Sequence, residues 1–309
     1  MKLLFLGTGG AWGLPEHECP CQTCRHLRRI GEFRTRTALW FEAGARILLD
    51  PGPDLRYQLM RENLPKPDAV LITHEHGDHF LGLDELLCFK RAMPRSKWQP
   101  IKVYAHPLAW PVIEARFGYL FGDLLEKQIA EPDMPLTGGP FGEDLVCLPK
   151  KTFHGALAQG SQGYVFKIKN SREEFSWGYT GDLVEAEDPD AFSGLDALVC
   201  QCHFLNEPKE NRANHLSLQN ALPLLKRWQP RQVYFVHISC QDMRPEDEVG
   251  NQILKKYQPA EPLCGPSGSV YEIPRDQRSW QDTVERVFRD HELTTMAKVA
   301  FDGLSVDMP

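Results

Sequence analysis

The sequence predicts an α/β protein in which two mixed β-sheets pack face to face beneath outer helices, an αββα sandwich. Three observations carry that prediction. Short apolar runs ending in polar loops recur along the chain, stretches with apolar residues at three- and four-residue steps fall between them, and some neighbouring runs are joined by hairpin turns. Interleaving alone points to parallel strands; the hairpins make the sheets mixed.

Lys2–Leu6 reads as the first strand and runs into Gly7-Thr8-Gly9-Gly10. Thr37–Glu42 and Ala45–Leu49 form a hairpin around Ala43-Gly44, and the second of them ends at Asp50-Pro51-Gly52. Pro53–Glu62 has helical spacing, and the buried run Ala69–Thr73 delivers the chain to His74. Helical spacing returns over Leu83–Met93 and Ala109–Phe121. Residues 88–140, with Trp98, Trp110, Phe117, Tyr119 and Phe121, read as a helical insertion near the site, packed on the core rather than mobile as a lid. Tyr164–Lys169 and Phe175–Tyr179 flank a polar turn at Asn170-Ser171, and the second ends at Thr180-Gly181-Asp182. Leu195–Cys200 and Val233–Val236 are near-continuous apolar runs, as expected of strands covered on both faces. Leu216–Trp228 is helical in pattern with Ser217 placed to cap it, and Gly268–Ile273 reads as a closing strand. Residues 1–274 thus form one catalytic domain. Residues 275–309 form an extension, helical over Trp280–His291, that is open between a docked tail and an oligomer contact such as a homodimer's.

Composition excludes several function classes. In 309 residues, 35 Lys and Arg face 42 Asp and Glu, a net charge of -7, so the cationic footprint that binds long nucleic acids is missing. A small anionic substrate remains compatible, because bound cations can dominate a local field. No run approaches the ~18 apolar residues of a membrane span. Leu3–Leu6 is too short for a signal-peptide core, so no membrane partner and a cytoplasmic setting are expected. In that setting the nine cysteines read as ligands or buried thiols rather than disulfides.

The chemistry is concentrated in His74-Glu75-His76-Gly77-Asp78-His79. Three imidazoles and a carboxylate follow a buried strand within six residues, and a tight loop turns such side chains toward one point. This donor mixture suits zinc, manganese or iron. With 11 His and 19 Asp in the chain, the pattern arises by chance in roughly one chain per thousand. One loop cannot complete a metal site. His154, Asp182 and His237 each stand where a strand hands over to a loop, the place where α/β folds build their sites. A second cluster, Cys19, Cys21 and Cys24, puts three thiols within six residues and needs a fourth partner for a closed zinc site. Cys240 is the candidate, His17 and His26 are rivals, and ordinary reduced thiols are the alternative. Cys88, Cys147, Cys200, Cys202 and Cys264 read as core residues, and His203 as packing more than substrate contact. Arg34 and Arg36 are open between a substrate phosphate and salt bridges. Gly7, Gly9 and Gly10 make no phosphate-binding P-loop and instead let backbone pass close to the metal loop.

The run Leu71-Ile72-Thr73 into His74–His79, with Asp50, His154, Asp182 and His237 in order behind it, resembles the metallo-β-lactamase superfamily over residues 2 to about 274. Within it, Gly7-Thr8-Gly9-Gly10, Cys19-Pro20-Cys21-Gln22-Thr23-Cys24, Asn214-His215 and His237-Ile238-Ser239 resemble the cyclic phosphodiesterases of the carbon–phosphorus lyase pathway, which open phosphoribosyl 1,2-cyclic phosphate. The resemblance implies two divalent ions. His74, His76 and His154 would hold one, and Asp78, His79 and His237 the other. Asp182 would bridge them together with a hydroxide, and Asp50 would support the loop from behind. It also implies a structural zinc in which Cys240 replaces a histidine, giving four thiolates with Cys19, Cys21 and Cys24.

A phosphodiester resists hydrolysis because its anionic oxygens repel hydroxide and the alkoxide leaves poorly. Paired cations relieve both problems but supply no proton for the leaving oxygen. His215, matching a histidine of the related enzymes, is the candidate acid, against a reading as a capping or surface residue. With Asp78 it makes up the catalytic set. The expected activity is a dinuclear metal-dependent phosphoric diester hydrolase for small cyclic or nucleotide-like phosphodiesters. The alternatives are a tRNA 3′-processing-type endonuclease and a non-catalytic accessory protein, such as the pyrroloquinoline-quinone pathway contains.

Overall fold

The computed structural model describes residues 1–169, 174–210, 214–247 and 256–309; the expected turn at Asn170-Ser171 lies outside them. The chain opens with β1 (Lys2–Gly7), α1 (Gln22–Ile30), β2 (Ala38–Glu42), β3 (Arg46–Leu49), α2 (Leu55–Glu62) and β4 (Ala69–Leu71). Next come α3 (Gly77–Phe80), α4 (Leu87–Ala92), β5 (Ile101–Ala105), α5 (Trp110–Phe117) and β6 (Leu125–Ile129). A second run of strands follows: β7 (Leu145–Phe153), β8 (Gln162–Lys169), β9 (Glu174–Tyr179), β10 (Glu185–Ala186) and β11 (Ala197–Gln201). The chain closes with α6 (Leu218–Trp228), β12 (Gln232–Val236), α7 (Gln277–Asp290), β13 (Met296–Val299) and β14 (Ser305–Asp307).

The strands form two seven-stranded sheets, ordered β14-β1-β2-β3-β4-β5-β6 and β10-β7-β8-β9-β11-β12-β13. Each is half antiparallel and half parallel. The β2–β3 hairpin is antiparallel, whereas β3 through β6 run parallel; likewise β7 to β9 are antiparallel and β9, β11, β12 and β13 parallel.

Alternation along the strands sorts side chains into three apolar layers. In β1, Leu3 and Phe5 face the space between the sheets, where Phe5 meets Tyr234 at 5.3 Å, while Leu4 and Leu6 join the layer under α2 and α5. In β12, Tyr234 and Val236 fill the same central layer, and Val233 and Phe235 pack outward with α6 and α7. A strand that serves two layers has no polar face, which explains the unbroken apolar runs. The result is the expected αββα sandwich. Ser217 does cap α6, accepting from Asn220 N at 3.1 Å.

Three expectations need correction. Residues 88–140 are not a purely helical insertion, because they carry β5 and β6, which pair in parallel at the edge of the first sheet. The stretch 275–309 is helical only through α7; β13 then extends the second sheet beside β12, and β14 pairs with β1 in the first. Gly268–Ile273 forms no strand and makes a single bridge, Cys264 to Val270. Among the described residues no helix is long and apolar enough to cross a membrane.

Candidate metal centre

Five residues of the expected site stand at or just past the carboxyl end of a strand, while Asp78 and His79 lie in α3 and His215 precedes α6. Asp50 follows β3, His74 lies three residues past β4, His154 follows β7, Asp182 lies three past β9, and His237 follows β12. The strand ends are brought together because β3, β4, β9, β11 and β12 run in parallel within their sheets, so the loops at one end share one rim. Asp50 and His237 both adopt left-handed backbone, at φ 53° and 64°, a conformation that costs a non-glycine residue energy and recurs where side chains must be aimed. Glycine at position 52 is demanded by packing, since a Cβ there would lie 2.1 Å from the Asp78 carbonyl oxygen.

Two sets of donor atoms converge. His74, His76 and His154 form one, and Asp78, His79, Asp182 and His237 the other; within each set the donor atoms lie within 4.8 Å of one another. One oxygen joins them. Asp182 Oδ2 lies 3.2 Å from His237 Nε2, 3.5 Å from His79 Nε2 and 3.5 Å from His154 Nε2. Asp78 Oδ2 lies 3.1 Å from His79 Nε2 and 3.4 Å from His237 Nε2. His76 Nδ1 and His154 Nε2 face each other at 3.1 Å.

The surrounding hydrogen bonds decide which nitrogen of each ring is available. Fully buried Asp50 accepts from Thr73 N, Thr73 Oγ1, Tyr179 OH and His79 Nδ1, each at 2.8 Å. His79 therefore carries a proton on Nδ1, which leaves Nε2 as the atom facing the centre. Thr73 Oγ1, having given its proton to Asp50, accepts from His74 Nδ1 at 3.0 Å, and His74 Nε2 is left buried without a hydrogen-bond partner. A buried, unpartnered polar nitrogen costs a folded protein about 1–3 kcal/mol. That cost disappears if the nitrogen binds a cation. Burial pushes His154 down to about 4 and His74 well below the imidazole range, so both rings are neutral, the form that ligates. Burial also acts to push Asp182 up, but His237 and His79 outweigh it and hold the carboxyl well below its ordinary value.

His215 stands at the edge of this floor, its Nδ1 3.6 Å from Asp182 Oδ2 and its side chain 21% exposed. Two neighbours hold it that the sequence reading missed or undervalued. Gln201 Oε1 accepts from Leu183 N and Leu216 N, so its amide nitrogen is turned to His215 Nδ1, 2.8 Å away. His203, buried rather than facing substrate, stacks on His215 at 4.0 Å and 12° and lies 3.1 Å from His237 Nδ1. The signal for Gln201 was a lone amide closing an apolar strand.

The cysteine cluster also assembles. The sulfurs of Cys19, Cys21, Cys24 and Cys240 lie within 4.8 Å of one another and all four residues are buried. His17 is exposed, and His26 pairs with Asp276 at 2.8 Å, so neither rival joins. Hydrogen bonds from Cys19 and the other two thiols drive Cys21 far below the usual thiol range. Cys147, Cys200 and Cys202 are core as expected, whereas Cys88 is exposed and Cys264 partly so. Arg34 is buried and donates to Thr8 Oγ1 and the Ala300 carbonyl. Arg36 pairs with Asp54 at 3.0 Å. Gly7 and Gly9 make room for the 34–36 segment rather than the metal loop; Gly10 alone abuts the site, where a Cβ would come within 3.0 Å of His203 and 3.6 Å of His237.

Comparison with known proteins places this geometry in context. The family described as "Beta-lactamase superfamily domain" matches residues 45–238. An octanoyltransferase of Porphyromonas gingivalis is 37% identical over 168 residues, covering 51% of this chain and 32% of that protein. A ribonuclease Z of Shouchella clausii is 25% identical over 299 residues, covering 82% of this chain and 91% of the relative. Against several of the curated relatives it matches, the chain spans about a third to a half of their length. Among solved structures, a diphosphatase from the PhnP family superposes with a TM-score of 0.69 at 22% identity, covering 100% of this chain and 98% of the other. That likeness shows a shared fold.

Proposed function

The chain belongs to the β-lactamase superfamily, and from that premise we propose that it is a metal-dependent phosphodiesterase acting on small cyclic or nucleotide-like phosphodiesters. The observation that carries the proposal is the single oxygen, Asp182 Oδ2, within 3.5 Å of imidazole nitrogens from both donor sets. A carboxylate placed so would serve both cations if each donor set held one. His74, His76 and His154 would hold one divalent ion and Asp78, His79 and His237 the other, with zinc, manganese or iron all suited to the donors. When bound, such a pair supplies an activated water near neutral pH and clamps the phosphoryl oxygens as charge builds.

The chain itself supplies the rest. Asp50 fixes the ring of His79, and Gln201 and His203 fix the ring of His215 beside the bridging carboxylate. His215 then hands a proton to the departing oxygen. Burial and the neighbouring His203 push its imidazole well below the ordinary range, while the Asp182 carboxylate acts the other way, as the negative charge of a bound phosphodiester would. Cys19, Cys21, Cys24 and Cys240 offer the closed four-sulfur donor set of a structural zinc.

The test is metal content followed by turnover of bis(4-nitrophenyl) phosphate. We expect roughly two non-cysteine-bound ions per chain, a loss of activity of at least about 100-fold on chelation, and recovery with added zinc or manganese. Full activity in metal-free protein, or inert metal-loaded protein, refutes the proposal. A second reading, a tRNA 3′-processing-type endonuclease, is favoured by the extent of the ribonuclease Z match. The net charge of -7 counts against it, and salt-sensitive binding of structured RNA would support it. A non-catalytic accessory role is disfavoured because every donor of both sets is in place.

A further inference from the structure

Trp12 stands exposed in a loop that is tied down on both sides of it. The segment between β1 and α1 is pinned to its surroundings by Gly9 N to Thr35 O at 2.8 Å, Gly10 N to Ile238 O at 2.9 Å and Leu14 N to Arg34 O at 2.8 Å. It closes on itself through Gly13 N to Gly10 O, and Arg36 Nε holds the Ala11 carbonyl at 2.8 Å. Gly10 presses its backbone on His203 and His237 at one end of the donor floor. Two residues on, Trp12 leaves 61% of its surface exposed. At the other end, three residues past His154, Leu157 is 85% exposed. The largest aromatic side chain of the protein alphabet, held open on a pinned loop two residues beyond the glycine that abuts the donor floor, contributes little to the core and is pre-organised for something flat.

Resting on the phosphodiesterase reading, we propose that Trp12 is a stacking platform for a nucleobase carried on one ester arm, so that the substrates are nucleoside-bearing phosphodiesters rather than bare sugar phosphates. Stacking of a base on an aromatic side chain is sequence-tolerant and strong enough to set preference by tenfold or more. The net charge of -7 argues for a single nucleotide rather than a polynucleotide occupant. Leu157 would complete the apolar margin around the polar floor, the usual composition of a small-molecule site.

The decisive comparison uses two esters that release the same leaving group, thymidine 5′-(4-nitrophenyl) phosphate and methyl 4-nitrophenyl phosphate. The parent protein should prefer the thymidine ester. Trp12→Ala should shrink that preference on the order of tenfold or more, through KM rather than kcat, and Trp12→Phe should retain most of it. No preference in the parent, or a preference that survives Trp12→Ala, overturns the proposal, as does a loss in kcat shared by both esters. If neither ester is hydrolysed, the phosphodiesterase reading fails by itself. The platform is then decided by calorimetry: thymidine 5′-monophosphate should bind at least about tenfold tighter than ribose 5-phosphate, and Trp12→Ala should abolish the difference. Equal binding of the two refutes it.

Discussion

His215 and Asp182 stand 3.6 Å apart, and one side chain at that distance serves either as a metal donor or as the acid that completes the reaction. The two roles separate by leaving group. A positioned acid contributes about 10²–10⁴-fold when the departing alkoxide is basic and little when it is nitrophenolate. His215→Ala should therefore lower turnover of an alkyl phosphodiester by at least about 100-fold more than that of bis(4-nitrophenyl) phosphate, with metal content unchanged. Equal losses on both esters, or loss of an ion, would make it a ligand instead. At this scale much of the site was legible. His74, His76, Asp78, His79, His154, Asp182 and His237 announce themselves as charged or imidazole side chains where apolar strands end. What could not be read was the layer that aims them. Gln201 acts through the orientation of its amide, and His203 through the face of its ring, and neither property leaves a mark on spacing.

Elements carry the second lesson, in the cysteine cluster. Cys21 is the N-cap of α1, accepting from Cys24 N at 3.4 Å, whereas Cys240 lies in the loop that follows β12 and begins with His237. A zinc held by the four thiols would thus fasten the first helix to the strand that delivers His237 of the second donor set. Lys256, nearly buried and donating to the Cys240 carbonyl, places a positive charge against this sulfur-rich pocket. Cys21→Ser should reduce the zinc content by about one ion per chain and lower the melting temperature by several degrees, since closed zinc sites contribute folding energy directly. Unchanged zinc and unchanged melting would show the thiols to be ordinary. The legibility of elements followed burial. Continuous apolar runs such as β11 and β12 were visible, as was the hairpin of β2 and β3, because their surroundings dictate composition. Elements at the margins were not. α1 buries only Thr23, Cys24 and Leu27 in a run rich in arginine, and β6 buries only Leu125 along an edge that charged residues protect from pairing. β10, two residues long, offers no pattern at all.

For the whole molecule, the last fourteen residues are the part whose importance was least apparent beforehand and whose removal is most informative. After α7 the chain crosses from one sheet to the other, adding β13 beside β12 and β14 beside β1. Between the two strands, Asp302 accepts from Thr8 Oγ1 at 2.8 Å and Thr35 N at 2.7 Å, and the Ala300 carbonyl receives the buried guanidinium of Arg34. The tail therefore fastens both sheets and also the 34–36 segment on which the glycine loop beside the metal floor rests. Val299, Leu304 and Met308 are buried, and each such side chain stabilises by roughly 1.5–3 kcal/mol. Their sum, before counting Arg34 stranded in the interior, approaches the ~5–15 kcal/mol that holds a typical domain together. A chain ending at Thr295 should consequently lose cooperative melting or accumulate as aggregate, with β12 and β1 left as open edges, rather than persist as a folded hydrolase lacking a dispensable appendage. Circular dichroism melting of the truncated and full chains decides it. A truncated protein that melts within a few degrees of the parent and keeps its metals would show the tail to be a passenger, and would return residues 1–295 to the status of a self-sufficient fold.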